Sequence, residues 1–110
     1  MSDEYFSVKE DVLKKLELNL TEIRERFGID TIGLFGSVSR GEDSPDSDID
    51  IVYTFKQGRG NLRDYAGVTE YLETLFNRNI DFVSLEWMNP NLKPYVIRDI
   101  ILVGGEIAAV

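Results

Sequence analysis

The sequence predicts a small α+β domain, a mixed α/β arrangement in which a small mixed β-sheet is flanked by helices. Short apolar runs of strand length alternate with segments whose apolar residues recur every three or four positions. Such alternation is typical of domains in which helices and strands pack as layers around one core. The chain has 110 residues, of which 43% are hydrophobic, and this suits a single domain over residues 1–110.

The first predicted element is helical and begins at residues 7–10, where Ser-Val-Lys-Glu matches a capping box. Apolar residues then recur on one helical face, at Val8, Val12, Leu13, Leu16, Leu20, Ile23 and Phe27. Gly28 is placed to end the helix. Because Asn19 lies in the middle, the pattern fits either one long helix or two short ones.

Two strands and the segment between them form the next predicted unit. Residues 31–35 and 48–55 are apolar runs that favour strands. Residues 38–41 are expected to form a turn or one short helical turn, and residues 42–47 a polar loop containing Pro45. The second strand therefore follows a short polar connection.

The rest of the chain is expected to contain two helices and a third strand. Residues 62–76 favour a helix whose apolar side carries Leu62, Tyr65, Ala66, Thr69, Leu72, Leu75 and Phe76. Residues 80–85 favour a strand, and residues 91–103 favour a helix that Gly104-Gly105 stops. Residues 106–110 fit a short edge strand or a frayed end.

The composition restricts the chemistry available to a site. The chain contains no cysteine and no histidine, which excludes disulfides, thiolate or histidine metal sites, and histidine acid–base catalysis. Any metal must therefore be a hard cation bound by oxygen. The net charge is −8 and the 12 Lys and Arg residues are dispersed, which argues against a long nucleic-acid partner and leaves a local basic groove open.

The sequence lacks signals for a membrane or for secretion. No apolar stretch approaches the roughly 18 residues needed to span a bilayer. The acidic start, Met1-Ser2-Asp3-Glu4, lacks an apolar signal core. We therefore expect a soluble, cytoplasmic protein without a membrane partner.

Two carboxylates open the second predicted strand. Because strand side chains alternate between faces, Asp48 and Asp50 point one way, while Ile49 and Ile51 point the other way into a core. Carboxylates this close repel each other unless a cation lies between them, and magnesium prefers carboxylates combined with phosphate oxygens and water. The pair is a candidate catalytic metal site. Solvated turn chemistry at a strand start is the alternative.

Asp81 is the third candidate acid. It is a single carboxylate within the apolar run Asn79-Ile80-Asp81-Phe82-Val83, where an acid is seldom buried without a partner. If the third strand lies beside the second, Asp81 can join Asp48 and Asp50, and three acids can hold two metal ions. An edge-strand or ion-pair role is the alternative.

A glycine–serine turn precedes these acids. Gly36 permits a tight turn and a close approach to a ligand, and Ser37 offers a hydroxyl and an amide for phosphate. Arg40 lies near enough in sequence to reach a triphosphate. Taken singly, Gly-Ser fits an ordinary strand-ending turn and Arg40 a solvated surface charge. Gly-Ser followed at this spacing by Asp-x-Asp, however, is expected by chance in roughly one chain per thousand of this length.

In these stretches the chain resembles the minimal nucleotidyltransferases of the DNA polymerase β superfamily. The first stretch is Gly33-Leu34-Phe35-Gly36-Ser37-Val38-Ser39-Arg40-Gly41, and the second, after an acidic loop, is Ser47-Asp48-Ile49-Asp50-Ile51. The departure is mild, since Ser39 stands where alanine is common. The order of predicted helices and strands extends the resemblance over nearly all of the chain.

The resemblance implies a polymerase-β-like core and magnesium-dependent transfer of a nucleoside monophosphate, with release of pyrophosphate. It implies that Gly36 and Ser37 hold the triphosphate. Asp48 and Asp50 would bind the metals, and Asp81 would complete the site near the acceptor hydroxyl. ATP is the nucleoside triphosphate that the resemblance favours, with magnesium, in two copies, as cofactor.

Stand-alone members of this family resemble the antitoxin half of a module whose partner is a HEPN-type toxin. The resemblance implies that the enzyme adds AMP to a tyrosine of that toxin within a hetero-oligomer. Two alternatives stay open. One is a binding module that neutralises its partner by contact alone, and the other is a transferase for a small molecule with an acceptor-binding partner subunit.

Two further groups of residues have alternative interpretations. Trp87, Met88 and Tyr95 fit either an apolar contact surface or, as we prefer, packing under the last helix. Lys56 and Arg59 lie in a flexible basic loop at residues 56–60, and fit either a mobile segment that closes over phosphates or a solvated connection.

Overall fold

The computed structural model describes residues 4–105 of the chain. Helices and strands alternate along this part of the chain, as the sequence predicts. Their bounds are α1 Lys9–Leu18, α2 Leu20–Phe27, β1 Ile29–Phe35, α3 Gly36–Ser39, β2 Ile49–Phe55, α4 Leu62–Phe76, β3 Ile80–Ser84, α5 Lys93–Asp99 and β4 Ile101–Gly104. The short edge strand or frayed end predicted at residues 106–110 lies outside the described residues.

The strands form one four-stranded sheet in the order β3-β2-β1-β4. β1 is antiparallel to both β2 and β4, whereas β2 and β3 are parallel. A parallel pair needs a crossover connection, which α4 supplies. The fold is therefore the small mixed sheet with flanking helices that the sequence predicts.

The hydrophobic core lies between the sheet and three helices. α1, α2 and α4 contribute Val12, Leu16, Ile23, Phe27, Val68 and Leu72 to it. Ile49, Ile51 and Tyr53 of β2 belong to the same core. Because strand side chains alternate, Asp50 faces the opposite side of the sheet.

The N-terminal helical segment is divided at Asn19, so two short helices form. The Asn19 side-chain amide donates to the Lys15 carbonyl oxygen over 2.8 Å, and its Oδ1 accepts from the Tyr71 hydroxyl over 3.1 Å. Gly28 ends α2 in the left-handed region, with φ of 72°, as predicted.

The capping box predicted at residues 7–10 is wrong. Val8 is the N-cap of α1 and its side chain accepts no capping hydrogen bond. Instead, the Val8 amide donates to Asp43 Oδ2 over 3.1 Å. The Ser7 hydroxyl accepts from the Lys9 amide over 3.1 Å, so the first turn is capped by Ser7 and by a carboxylate from a distant loop.

The helix at residues 62–76 has the predicted bounds, and its predicted apolar side is right at Leu72 and Phe76, which join or pack against the core, but wrong at its start. Val68, which was left out of that side, and Leu72 are fully buried, whereas Leu62 is 83% exposed. Asn61 Oδ1 accepts from the Asp64 amide over 2.8 Å and so fixes the helix start. In the first turn, Tyr65 lies against the Tyr53 and Phe82 rings of the sheet, whereas Leu62 is left in solvent.

The helix predicted at residues 91–103 is wrong beyond Asp99. Ile100 is extended, with φ of −68° and ψ of 136°, and residues 101–104 form β4. β4 pairs with the free edge of β1, where Leu102 is the partner of Gly33. The run of branched residues Ile-Ile-Leu-Val favours this pairing over continued helix. Among residues 4–105, none of the helices is long and apolar enough to cross a membrane.

Candidate active site

Asp50 and Asp81 lie side by side on neighbouring parallel strands. They are register partners in the pairing of β2 with β3, and the charge of Asp81 acts directly on Asp50. The sequence expectation that the third strand lies beside the second is therefore confirmed. β3 is also an edge strand, so Asp81 is exposed while Asp50 is half-buried.

The surroundings of Asp50 disfavour its negative charge. Burial raises the pKa of Asp50 to about 6, with further contributions from the charges of Asp81 and Asp48, while Arg40 opposes the rise. Asp48 is an exposed residue directly before β2. Carboxylates that repel each other in this way are relieved by a cation placed among them.

The donor atoms fit a hard divalent cation. All three side chains offer carboxylate oxygens, the ligands that magnesium prefers. Within residues 4–105, no three acidic side chains yet converge closely enough to form a complete metal-binding cluster. The structure thus brings Asp50 and Asp81 together and places Asp48 within electrostatic range of Asp50.

Gly36 makes space for Asp50. Its φ is +77°, and a Cβ atom built on it would lie 2.1 Å from Asp50 Oδ2. The neighbouring residue Phe35 is the register partner of Asp50 across β1 and β2. The glycine–serine turn and the acidic strand therefore meet at one point of the sheet.

Ser37 lies in the single helical turn α3 with its hydroxyl available. Its carbonyl oxygen accepts from the amides of Arg40, over 3.2 Å, and Glu42, over 2.9 Å. The hydroxyl itself has no hydrogen-bond partner within the described part of the chain. Ser39 behaves differently, because its buried hydroxyl donates to the Gly36 carbonyl oxygen over 2.6 Å. The turn is thus held by backbone hydrogen bonds and by Ser39, and the Ser37 hydroxyl takes no part in holding it.

Arg40 lies at the rim of the site, between two acids. Its Nε donates to Glu42 over 2.6 Å and its Nη1 to Asp99, at the end of α5, over 3.2 Å. Its charge still lowers the pKa of Asp50, so the guanidinium is within electrostatic reach of the carboxylates.

The basic loop at residues 56–60 lies at the opposite end of β2 from Asp50. Arg59 donates to Asp64 over 2.9 Å and to the Arg26 carbonyl oxygen over 3.2 Å. These contacts tie Arg59 to the helices, as in a solvated connection. A cavity of about 790 Å³ lies beside this loop, against Tyr65 and Trp87.

The preferred packing of Trp87 and Tyr95 under the last helix is wrong. Trp87 is 87% exposed and Tyr95 is 60% exposed, whereas Met88 is half-buried. Arg98 lies over the Tyr95 ring, 5.4 Å from the ring centroid, which is a cation–π contact.

Sequence reasoning missed the contacts among Tyr5, Asp43 and Arg78, the last of which also contacts the Ser47 carbonyl oxygen before Asp48. Asp43, only 9% exposed, accepts hydrogen bonds from Tyr5 and Ser7, and Arg78 donates to Tyr5 over 2.8 Å. Although burial, the largest influence, would raise the pKa of Asp43, the hydrogen bonds from Ser7, Tyr5 and Val8 together lower it. No local signal could have found these contacts, because the partners are far apart in sequence.

Known proteins share both the sequence pattern and this fold. The family model of the nucleotidyltransferase domain matches residues 16–103. The chain is 35% identical over 94 residues to the protein adenylyltransferase MntA of Thermococcus cleftensis, a match that covers 86% of this chain and 94% of that protein.

Solved structures extend the likeness. One, of a protein assigned as a minimal nucleotidyltransferase, has a TM-score of 0.71 at 34% identity and covers 83% of this chain and 92% of the other. Another structure is the complex of tri-AMPylated Shewanella oneidensis HEPN toxin with MNT antitoxin, and one of its chains shares the fold. The TM-score is 0.61 at 19% identity, and the match covers 86% of this chain and 73% of the other. Because the family model spans most of the chain, the protein belongs to the nucleotidyltransferase domain family and is a nucleotidyltransferase.

Proposed function

We propose that the protein transfers AMP from ATP to a tyrosine hydroxyl of a HEPN-type toxin and thereby acts as its antitoxin in the cytoplasm. The observation that carries this proposal is the pairing of Asp50 with Asp81 on neighbouring strands, against the Gly36 turn. The resemblance of the chain to a protein adenylyltransferase supports a protein acceptor. The complex of MNT antitoxin with AMPylated HEPN toxin, which shares the fold, supports this kind of partner.

The residues of the site divide the work of the reaction. Asp48, Asp50 and Asp81 would hold two magnesium ions, and Gly36 and Ser37 would hold the triphosphate, with Arg40 at the rim. Bound magnesium supplies positive charge that stabilises the phosphoryl oxygens in the transition state. Ser37 offers a free hydroxyl for a phosphate oxygen, and Gly36 lets the backbone come close to it.

The bonds made and broken follow from phosphoryl-transfer chemistry. The acceptor hydroxyl oxygen forms a bond to the α-phosphorus of ATP, and the bond from that phosphorus to the bridging oxygen breaks. Pyrophosphate leaves with the electron pair of the broken bond. The Asp81 carboxylate, which is exposed at the sheet edge, accepts the proton of the hydroxyl.

The experiment that tests this proposal follows the α-phosphate. ATP labelled there is incubated with magnesium, the purified protein and extract of its native host, and labelled proteins are separated and identified. Asp50→Asn is run in parallel, with Asp30→Asn as the matched control, since Asp30 is an exposed acid on β1 that pairs only with Arg24, at 3.5 Å, among the described residues.

We expect one labelled helical toxin with the wild type and with Asp30→Asn, and no label with Asp50→Asn. Tyrosine as the labelled residue would be identified by mass spectrometry. Label on a small molecule would favour a different acceptor. A toxin that is neutralised equally by Asp50→Asn would show that contact alone is sufficient, and would overturn the proposal.

A further inference from the structure

The backbone on both sides of Asp48 is held by two consecutive residues. Arg78 Nη1 donates to the Ser47 carbonyl oxygen over 3.2 Å, and the Ile49 amide donates to the Asn79 carbonyl oxygen over 3.0 Å. Arg78 and Asn79 lead directly into β3, which carries Asp81. The connection before β3 therefore sets the position of Asp48 relative to Asp81.

Arg78 holds a closed turn, not a loose loop. Its Nη1 also donates to the Ser44 carbonyl oxygen over 3.2 Å. The Ser47 amide donates to that same oxygen over 3.1 Å, and the Ser44 amide donates to Ser47 Oγ over 2.8 Å. One guanidinium nitrogen thus contacts both ends of the turn that ends immediately before Asp48.

The guanidinium of Arg78 is itself oriented from its other side. Nη2 donates to the Tyr5 hydroxyl over 2.8 Å, and the guanidinium lies 5.7 Å from the Tyr5 ring centroid. The Tyr5 hydroxyl donates to Asp43 Oδ2 over 2.5 Å, and Asp43 is buried against the start of α1. A planar group with several fixed donors suits this arrangement, and a lysine ammonium does not.

We infer that Arg78 is a positioning residue, which holds Asp48 at the place from which its carboxylate can join Asp50 and Asp81 around a divalent cation. The inference rests on the proposed cation site. Asp48 is exposed and precedes the strand, so its own side-chain packing does not hold it. Its position depends on backbone contacts, of which Arg78 makes those before Asp48 and Asn79 makes the one after it.

A positioning role and a purely electrostatic role of Arg78 predict different results when its charge is removed. A positive charge near Asp48 opposes the binding of a cation there, so charge alone predicts that Arg78→Ala binds a divalent cation more tightly. Positioning predicts the reverse, because Asp48 would leave its place. Arg78→Lys keeps the charge but cannot contact both carbonyl oxygens and Tyr5 at once, so positioning predicts weaker binding there too.

The test measures Mn2+ binding by titration calorimetry on the full chain, without nucleotide. Wild type is compared with Arg78→Ala, Arg78→Lys and Asp48→Asn, and thermal unfolding checks that each variant is folded. Arg26→Ala is the control, because Arg26 is an exposed arginine on α2 that pairs with Glu22 over 3.2 Å, away from the acids.

We expect Arg78→Ala to bind Mn2+ about tenfold more weakly than wild type, as for other residues that orient a ligand. Arg78→Lys should lie between the two, and Arg26→Ala should match wild type. If Arg78→Ala does not fold, Arg78→Lys decides the question. If Arg78→Ala and Arg78→Lys bind Mn2+ as tightly as wild type while Asp48→Asn binds it weakly, the positioning role is overturned and the cation site is kept. A wild type that binds no Mn2+, or Asp48→Asn that binds normally, would overturn the proposed cation site together with it.

Discussion

Gly36 and Asp50 share one space in the site. A Cβ atom on Gly36 would lie 2.1 Å from Asp50 Oδ2, well inside van der Waals contact, and the φ of Gly36 is +77°. The carboxylate therefore occupies the volume that any side chain at position 36 would need. The turn proposed to hold phosphate and the acid proposed to hold metal depend on each other's geometry.

We expect Gly36→Ala to lose nucleotidyl transfer almost completely, because its methyl group would displace the Asp50 carboxylate. We also expect the free energy of unfolding to fall by about 1–2 kcal/mol, the cost of a non-glycine residue in the left-handed region. Transfer of label from α-labelled ATP measures the first effect, and urea denaturation measures the second.

Gly58→Ala is the matched control for that variant. Gly58 has a similar φ of +82°, but a Cβ atom there meets nothing within 4 Å. It should lose a comparable amount of stability and keep full activity. An active Gly36→Ala enzyme would contradict the dependence of Asp50 on Gly36.

Removing the hydroxyls of two serines in the same turn should affect different properties, one the KM and the other the stability. Ser37→Ala should raise the KM for ATP with little change in stability, because the Ser37 hydroxyl has no partner within residues 4–105. Ser39→Ala should instead lower the free energy of unfolding by about 1 kcal/mol, since it removes a buried hydrogen bond to the Gly36 carbonyl oxygen. Steady-state kinetics and urea denaturation of both variants test this pairing. Equal effects on KM would argue against a ligand at Ser37.

Asp81→Asn should lower kcat by about a hundredfold or more, in the range seen when a group that stabilises a transition state is removed. The fold should survive, because Asp81 is exposed on an edge strand. Circular dichroism checks the fold, and label transfer measures the rate. A fully active Asp81→Asn enzyme would mean that the site uses only Asp48 and Asp50.

Stability without metal should depend on the ionisation of Asp50. Because the folded pKa of about 6 lies above the ordinary aspartate pKa of 3.8, the folded state binds the proton more tightly than the unfolded state does. The contribution of Asp50 to stability is thus present at pH 3.8 and below, and is lost as the pH rises through about 6.

Asp50→Asn removes this dependence. In EDTA, we expect the variant to gain about 1 kcal/mol of unfolding free energy relative to wild type between pH 4 and pH 7, a figure reduced for the partial exposure of the group. Urea denaturation at the two pH values measures the difference. Mn2+ should stabilise wild type at pH 7 and leave Asp50→Asn nearly unchanged. A pH-independent difference between the two proteins would contradict the raised pKa.

Features that depend on local sequence could be predicted. The bounds of α4, the left-handed Gly28 and the run from Gly36 to the acids follow from helical periodicity, a strand-length apolar run and glycine in a turn. Each of these signals acts between residues that are near each other along the chain. Gly36 and Ser37 accordingly lie in the turn after β1, and Asp50 lies in β2, as the sequence predicts.

Features that depend on partners distant in sequence could not be predicted. The segment at residues 101–104 has the apolar residues to continue a helix, but the free edge of β1 converts it into a strand. The Val8 amide is capped by Asp43, which local sequence does not connect to it. The buried side of α4 likewise depends on where the helix crosses the sheet.

The sequence by itself determined the family, the order of most helices and strands, and the residue types of the candidate site, because short-range periodicity and turn chemistry carry that information. Tertiary structure alone decided that Asp81 lies beside Asp50, that Gly36 leaves space for Asp50, and that Arg78 holds the turn before Asp48. Strand register and long-range hydrogen bonds are selected by the packing of the whole chain, and no segment of sequence contains both partners.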